Sequence, residues 1–162
     1  MKLTSFVVLC ALVLFAACNK SEDPKDDSKP GDTPGKSAKR QLLEAGKWQL
    51  TAEIATASYM GKDTTIDLYA EMDECDKDDF VIFGADGIAT IDENANKCAH
   101  DEQVETADWA LLDNDTRIAL VDSNPDTFDI MELTATQWKF KKTEVNSSGI
   151  PVSWISTYKN IK

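Results

Sequence analysis

The residues that could carry out chemistry are few. Cys98, His100 and Asp101 stand almost side by side, and His100 is the only histidine among the 162 residues. A nucleophilic site needs a free thiol or hydroxyl held against an imidazole that a third group orients. The sequence contains no His-Glu-x-x-His motif, no Cys-x-x-Cys motif and no phosphate-binding glycine loop. We therefore predict that the protein is not an enzyme and needs no cofactor.

The densest acidic run is Asp73-Glu74-Cys75-Asp76-Lys77-Asp78-Asp79. Calcium prefers several oxygen ligands, which makes Asp73, Asp76 and Asp78 candidates for holding it. The run lacks the loop glycine and closing glutamate of an EF-hand, so a solvated acidic loop without a specific metal is the preferred interpretation. The net charge of the whole chain is -12, which would repel phosphate backbones. Nucleic-acid binding is therefore not expected.

The first 17 residues have the pattern of a signal peptide. Lys2 precedes an unbroken apolar run of 12 residues from Phe6 to Ala17. That run is shorter than the roughly 20 residues needed to span a membrane. Leu14-Phe15-Ala16-Ala17-Cys18 resembles the lipobox of bacterial lipoproteins, which implies that Cys18 is the lipidated N-terminus, carries palmitate-type acyl chains and anchors the protein to a bilayer. The alternative is an ordinary signal peptide followed by a chance cysteine.

Residues 18–39 are predicted to be a lipidated cysteine and a disordered tether. After Cys18 the segment is rich in Pro, Ser, Asp and Lys and has no aromatic or branched apolar residue, so it cannot bury a core. Lys20-Ser21-Glu22-Asp23 resembles the acidic export signal of some Gram-negative lipoproteins. That resemblance implies the outer membrane and a surface-exposed position, whereas the alternative is a merely solvated tether.

The remaining cysteines follow from this processing. Cys10 leaves with the signal peptide and Cys18 takes the lipid, so only Cys75 and Cys98 are left. In an oxidising compartment two such thiols most simply form a disulfide, which would stabilise the fold by about 3 kcal/mol. A metal pair is the competing interpretation, although the further ligands of a zinc site are missing.

Residues 46–162 are strand-like nearly throughout. Trp48, Leu50, Ala52 and Ile54 alternate with polar or small residues, which predicts a strand with these four on its buried face. About eight strands follow from such patterns and from the turns between them, while 66–72 is ambiguous between strand and helix. Residues 39–45 predict a short helical turn that stops at Gly46. Short turns between eight strands indicate a closed up-and-down barrel or a two-sheet sandwich.

The opening of strand one resembles that of lipocalins. Gly46-x-Trp48 follows a helical turn, as in that family. In lipocalins the tryptophan closes the barrel floor, and a basic residue of the last strand packs across it. The resemblance implies that Lys159 is that basic residue here. The wider pattern resembles the lipocalin-like domains of exported bacterial lipoproteins over residues 40–162: Cys75, Asp78-Asp79-Phe80, Asp86-Gly87, Cys98, Trp109-x-Leu111 and Trp138. It implies an all-β, eight-stranded antiparallel up-and-down barrel with one disulfide. An immunoglobulin-like β-sandwich remains the alternative.

Such a barrel is either filled by its own side chains or holds one small ligand. Small residues on the strands would leave a cavity if they point inward: Ala52, Ala89, Ala110 and Ala119. The four tryptophans are expected in the core, where they could fill that space. We predict a lipocalin-like lipoprotein that binds a small, partly apolar molecule. The alternative is a packed barrel whose surface engages a protein or a glycan as a non-enzymatic accessory module.

Overall fold

The structure is a computed structural model that describes residues 35–99, 101–121 and 125–162. The predicted signal peptide, Cys18, most of the predicted tether and His100 lie outside the described residues. The described chain forms two short helices and nine strands: α1 (Ala38–Glu44), β1 (Lys47–Tyr59), β2 (Lys62–Asp67), α2 (Leu68–Glu71), β3 (Phe80–Phe83), β4 (Ile88–Asp92), β5 (Val104–Leu112), β6 (Arg117–Val121), β7 (Asp126–Leu133), β8 (Gln137–Val145) and β9 (Pro151–Asn160). Neither helix is long and apolar enough to cross a membrane.

Eight of these strands close into an antiparallel barrel. From β3 to β9 each strand pairs with the next along the chain, and β1 pairs with both β3 and β9. The pairing between the first and last strands runs from Trp48–Asn160 to Ala57–Val152 and closes the sheet on itself. The predicted up-and-down barrel is thereby confirmed, and the alternative of two separate sheets is excluded.

The ninth strand was not predicted. β1 is longer than its hydrophobic pattern indicates, and its second half, Ile54 to Tyr59, forms a hairpin with β2. Every residue of β2 is exposed, so no buried alternation marks it in the sequence. The segment 66–72, which was ambiguous between strand and helix, contains the end of β2 and all of α2. β2 ends at Asp67, whose carboxylate accepts a hydrogen bond from the Ala70 N–H and caps α2.

A β-bulge near Thr51 changes which face of β1 points inward. The pairing with β9 steps from Leu50–Tyr158 to Ala52–Thr157, so β1 contains one extra residue. The Thr51 hydroxyl donates to the carbonyl of Thr157 at 3.1 Å. Because side chains alternate with a period of two, the extra residue moves the positions after it to the opposite face. Ala52 and Ile54 therefore do not share the inner face with Trp48 and Leu50, and that part of the prediction is wrong.

α1 covers one end of the barrel. Ser37 caps it by accepting from the Arg40 N–H at 3.1 Å. Leu43 is fully buried against the barrel. The guanidinium of Arg40 lies 4.4 Å from the centre of the Trp109 ring, a favourable cation–π contact. Lys39 reaches the Asp115 carbonyl in the β5–β6 turn at 2.8 Å. Arg40 also donates to the Ala85 carbonyl in the β3–β4 turn, so this end of the barrel, here called the floor, is closed by a helix bonded to two turns.

Three aromatic residues fill the barrel just above the floor. Trp48, Phe83 and Trp138 are each at most 2% exposed. The Trp138 ring meets Trp48 at 6.3 Å and Phe83 at 5.3 Å between centroids, both edge-to-face, which is a preferred geometry for aromatic pairs. The Trp48 indole N–H donates to the Leu43 carbonyl at 2.9 Å. Trp48 therefore joins α1 to the core, as the lipocalin resemblance implies.

The partner of Gly46 and Trp48 on the last strand is Asn160. Trp48 pairs with Asn160 across β1 and β9, and the Asn160 side chain occupies the space that a Cβ on Gly46 would need. Lys159, one position earlier, is exposed and pairs with Gln49 and Gln137. The expectation that Lys159 packs across Trp48 is therefore wrong, because Lys159 lies on the outer face of β9.

Cys75 and Cys98 form the predicted disulfide, with their Cα atoms 5.2 Å apart. The bond joins the segment before β3 to the loop between β4 and β5. Asn96 adds two hydrogen bonds across the same gap, from its backbone N–H to the Asp78 carboxylate and from its amide to the Glu74 carbonyl. The metal-pair alternative is excluded, because both sulfurs are used in the disulfide.

Candidate functional site

A cavity of about 320 Å³ lies inside the barrel and is partly open to solvent. It lies beyond the aromatic layer of Trp48, Phe83 and Trp138 that covers the floor. A second lobe of about 280 Å³ adjoins it toward the disulfide. The two lobes share four lining residues: Glu53, Val81, Leu120 and Tyr158. Their sizes are comparable with those of small-molecule sites, which begin at about 300 Å³.

Cross-strand register arranges the wall of the main lobe in layers. Next to the floor, Tyr158 of β9 pairs with Leu50 of β1 and with Trp138 of β8. One layer further, Ser156 pairs with Glu53 and Phe140. Above that, Trp154 pairs with Ala55 and Lys142. The cavity thus changes from aromatic near the floor to charged near its opening, because inward positions alternate along each strand.

Lys142 is the one cationic side chain of the cavity wall in the part of the chain that the structure describes. Its ammonium group lies 2.8 Å from Asp126 and 3.3 Å from Glu144. These carboxylates raise the pKa of Lys142, chiefly through the hydrogen bond that its ammonium group donates to Asp126. The positive charge at this position is therefore already balanced by two acids.

Glu53 is the acid at the centre of the cavity. It is half-buried and lines both lobes. Burial raises the pKa of its carboxyl group, since a carboxylate removed from water is less stable. Tyr158, beside it, also has a raised pKa, first through burial and then through the negative charges of Glu53 and Asp79. Both carboxylates therefore act on the same hydroxyl group.

Asp79 belongs to an acidic group at the second lobe. Burial, the charges of Glu93, Asp76 and Asp78, and a hydrogen bond to the Glu93 carboxyl group raise the pKa of Asp79 to about 7. Two carboxyl groups can hydrogen-bond to each other only when one of them holds a proton. At neutral pH Asp79 is therefore near its titration midpoint, which is unusual for an aspartate.

The three calcium candidates do not come together as a set of ligands. Among the described residues, two clusters of ligand atoms lie within 4.8 Å of one another: Cys75, Asp76 and Cys98, and Glu93, Cys98 and Asp101. Each contains a disulfide sulfur, which is not a calcium ligand. Asp73 and Asp78 belong to neither cluster, and one oxygen of Asp78 instead accepts from the Asn96 N–H at 3.2 Å.

Some residues that were predicted to lie in the core or to leave space for a cavity lie elsewhere in the structure. Trp109 is buried with Trp48 and Trp138, whereas Trp154 is half-buried and lines the cavity. None of the four small residues thought to create space lines either lobe: Ala52, Ala89, Ala110 and Ala119. Ala89 and Ala119 are packed in the core and Ala110 is exposed. The smaller side chains that do line the main lobe are Ser156, Val81 and Leu120.

The sequence patterns did not predict that Glu53, Asp79 and Lys142 line a cavity. Glu53 was hidden by the bulge, since without it this position would face outward. Lys142 could have been found from the alternation Trp138, Phe140, Lys142, which places all three on one face of β8. Asp79 likewise stands two residues before Val81, and both line the second lobe.

Comparison with known proteins identifies the class that this geometry defines. A family model described as a lipocalin-like domain matches residues 45–140, which is more than half of the 162-residue chain. The chain therefore belongs to the lipocalin-like domain family, as its motifs predict. No curated protein matches the chain.

Two solved structures of bovine odorant binding protein are similar to this chain. One, a complex with its natural ligand, has a TM-score of 0.43 and 11% sequence identity, and covers 81% of this chain and 77% of that chain. The other, a complex with a selenium-containing odorant, has a TM-score of 0.40 and 9% identity, with coverage of 81% and 78%.

Proposed function

We propose that this protein is a membrane-anchored lipoprotein whose barrel binds a small, partly apolar molecule without transforming it chemically. The observation that carries this proposal is the cavity of about 320 Å³ within a closed barrel. A fully packed interior would instead favour the alternative of a surface accessory module for a protein or a glycan. The cavity combines aromatic walls with a few polar groups, which is the usual composition of ligand sites.

The proposal includes no catalytic step. Within the described part of the chain, the cavity wall offers the hydroxyl groups of Ser156 and Tyr158 but no histidine or thiol beside them. A serine that no histidine activates is a weak nucleophile. The raised pKa of Tyr158 keeps its hydroxyl protonated at neutral pH, so it is suited to hydrogen bonding.

Binding can be tested with a neutral apolar fluorescent dye such as N-phenyl-1-naphthylamine. We expect the wild-type protein to bind the dye with micromolar affinity, and Val81→Phe to weaken binding at least about tenfold, because Val81 lines both lobes. Thr106→Phe is the matched control, since Thr106 is exposed on β5. Equal dye binding by both variants, or none by the wild type, would contradict the proposal. Native mass spectrometry of protein purified from its own cells then identifies the resident molecule.

The anchor is proposed at Cys18, with the protein held at the outer membrane of a Gram-negative bacterium and exposed at the surface. Cys18→Ser should move the protein from the membrane fraction to the soluble fraction, because it removes the lipidated thiol. Cys10→Ser is the control and should leave the protein in the membrane, since Cys10 lies within the segment that processing removes. Membrane retention of Cys18→Ser would refute the anchor.

A further inference from the structure

The charges of the cavity do not balance without a ligand. Across both lobes, the described lining residues include one ammonium group, that of Lys142, and four carboxyl groups: Glu53, Asp76, Asp79 and Glu144. Lys142 is already paired with Asp126 and Glu144. No positive charge in the described wall is therefore left for an anionic ligand such as a carboxylate.

Glu53 is the acid that lacks a partner. Among the residues that the structure describes, its carboxylate makes no hydrogen bond and no ion pair. It nevertheless lies on the inner face of β1, where the bulge near Thr51 directs it, opposite Ser156. Partial burial makes the charged form of this carboxylate less stable, a cost that no described partner offsets. A cation entering the cavity would offset that cost, and burial strengthens the attraction between the two charges.

The rest of the wall is suited to an organic cation rather than to a bare ion. Five aromatic residues line the main lobe together with Glu53: Phe128, Trp138, Phe140, Trp154 and Tyr158. The faces of such rings attract alkylammonium groups and their surfaces bury the apolar part of a ligand. Trp138 is only 2% exposed, and its indole N–H has no acceptor among the described residues. Because this N–H is buried, Trp138 offers a ligand its ring rather than a hydrogen bond.

We propose that the ligand is an amphipathic organic cation, a protonated amine on an apolar body, with its ammonium group held by Glu53 among the aromatic rings. This inference rests on the proposed function, since it names the ligand class of the same cavity. A volume of about 320 Å³ equals that of about ten water molecules at about 30 Å³ each. With the adjoining second lobe, the cavity admits an amine carried on an alkyl chain or on a small aromatic body of a few rings.

Three probes of one chain length separate the charge from the apolar body: octylammonium, octan-1-ol and octanoate. Their affinities are measured by calorimetry at pH 7.5 and below the concentrations at which they aggregate. We expect octylammonium to bind at least about tenfold more tightly than octanoate. Glu53→Gln should weaken octylammonium binding about tenfold, since it replaces a charged acceptor with a neutral one, and should change octan-1-ol binding less than about twofold.

Asp108→Asn is the matched control variant. Asp108 is exposed on β5 between the buried Ala107 and Trp109, so this variant removes an acid from the outer face and should leave all three affinities unchanged. A urea unfolding curve establishes that Glu53→Gln is folded. The cation inference would be overturned if octanoate bound as tightly as octylammonium, or if Glu53→Gln left the octylammonium affinity unchanged. In either case, binding of octan-1-ol would still support the proposed function. Failure of all three probes to bind would overturn both.

Discussion

Replacing Trp48 with alanine is expected to lower the free energy of unfolding by about 4 kcal/mol, the range for deleting a buried tryptophan. Trp48 is fully buried and contacts Trp138 edge-to-face. The change also removes the indole donor that lies 2.9 Å from the Leu43 carbonyl, so α1 loses this hydrogen bond to the barrel core. Because small domains are stable by only about 5–15 kcal/mol, the variant should be close to unfolding at 37 °C.

Two further variants assign this effect to the floor. Trp154→Ala removes the same ring from a half-buried position on the cavity wall, and should cost clearly less, about 1–2 kcal/mol. Trp48→Phe keeps a ring in the core but loses the hydrogen bond to Leu43, and should cost about 1–3 kcal/mol. Urea unfolding followed by tryptophan fluorescence and circular dichroism gives the three values. Equal losses for Trp48→Ala and Trp154→Ala would contradict the role given to Trp48.

Removing the disulfide is expected to have the second-largest effect. Cys75 and Cys98 are 23 positions apart, and opening a loop of that length releases chain entropy worth about 3 kcal/mol in the unfolded state. The double variant Cys75→Ala/Cys98→Ala should therefore unfold at a urea concentration about 1–2 M lower than the wild type. The segment before β3 carries Asp76 and Asp79 of the second lobe, so loosening of this lobe should accompany the loss.

The reduced wild-type protein is the natural control for that variant. Adding dithiothreitol should lower the wild-type urea midpoint to that of the double variant and should leave the variant itself unchanged. If reduction shifts the wild-type midpoint by less than about 0.3 M, the loop before β3 is held mainly by its hydrogen bonds, such as those of Asn96 to Glu74 and Asp78. The prediction for the disulfide would then be wrong.

Local signals predicted the strands and turns well. Asp86-Gly87 does join β3 to β4, and Gly87 has a φ of 88°, a conformation that glycine adopts without strain. Asp113, Asn114 and Asp115 have φ values of 53°, 54° and 62°, and Asp and Asn are the non-glycine residues that best tolerate this region. Turns of this kind depend on a few adjacent residues, so they can be recognised from the sequence.

The candidate site was less predictable, because its position depends on pairing between distant strands. Trp48, Leu50, Ala52 and Ile54 form one apolar alternation in the sequence, yet the bulge near Thr51 divides it and brings Glu53 inside. Lys159 and Asn160 are adjacent, and only the β1–β9 register decides that Asn160 lies opposite Trp48. A shift of one residue reverses every inward and outward assignment, so local patterns could not identify the cavity wall.

The amino-acid sequence alone determined that this domain is all-β, with about eight strands joined by short turns and a pair of cysteines that form one bond, while the barrel itself was implied only by the resemblance of Gly46-x-Trp48 and the wider pattern to lipocalins. These properties follow from local periodicity, turn chemistry and the count of thiols. The tertiary structure alone decided that the barrel is closed, that it contains a cavity, and that Glu53 lies inside it without a partner. Closure, register and the bulge arise from contacts between residues about a hundred positions apart, and no short stretch of sequence records those contacts.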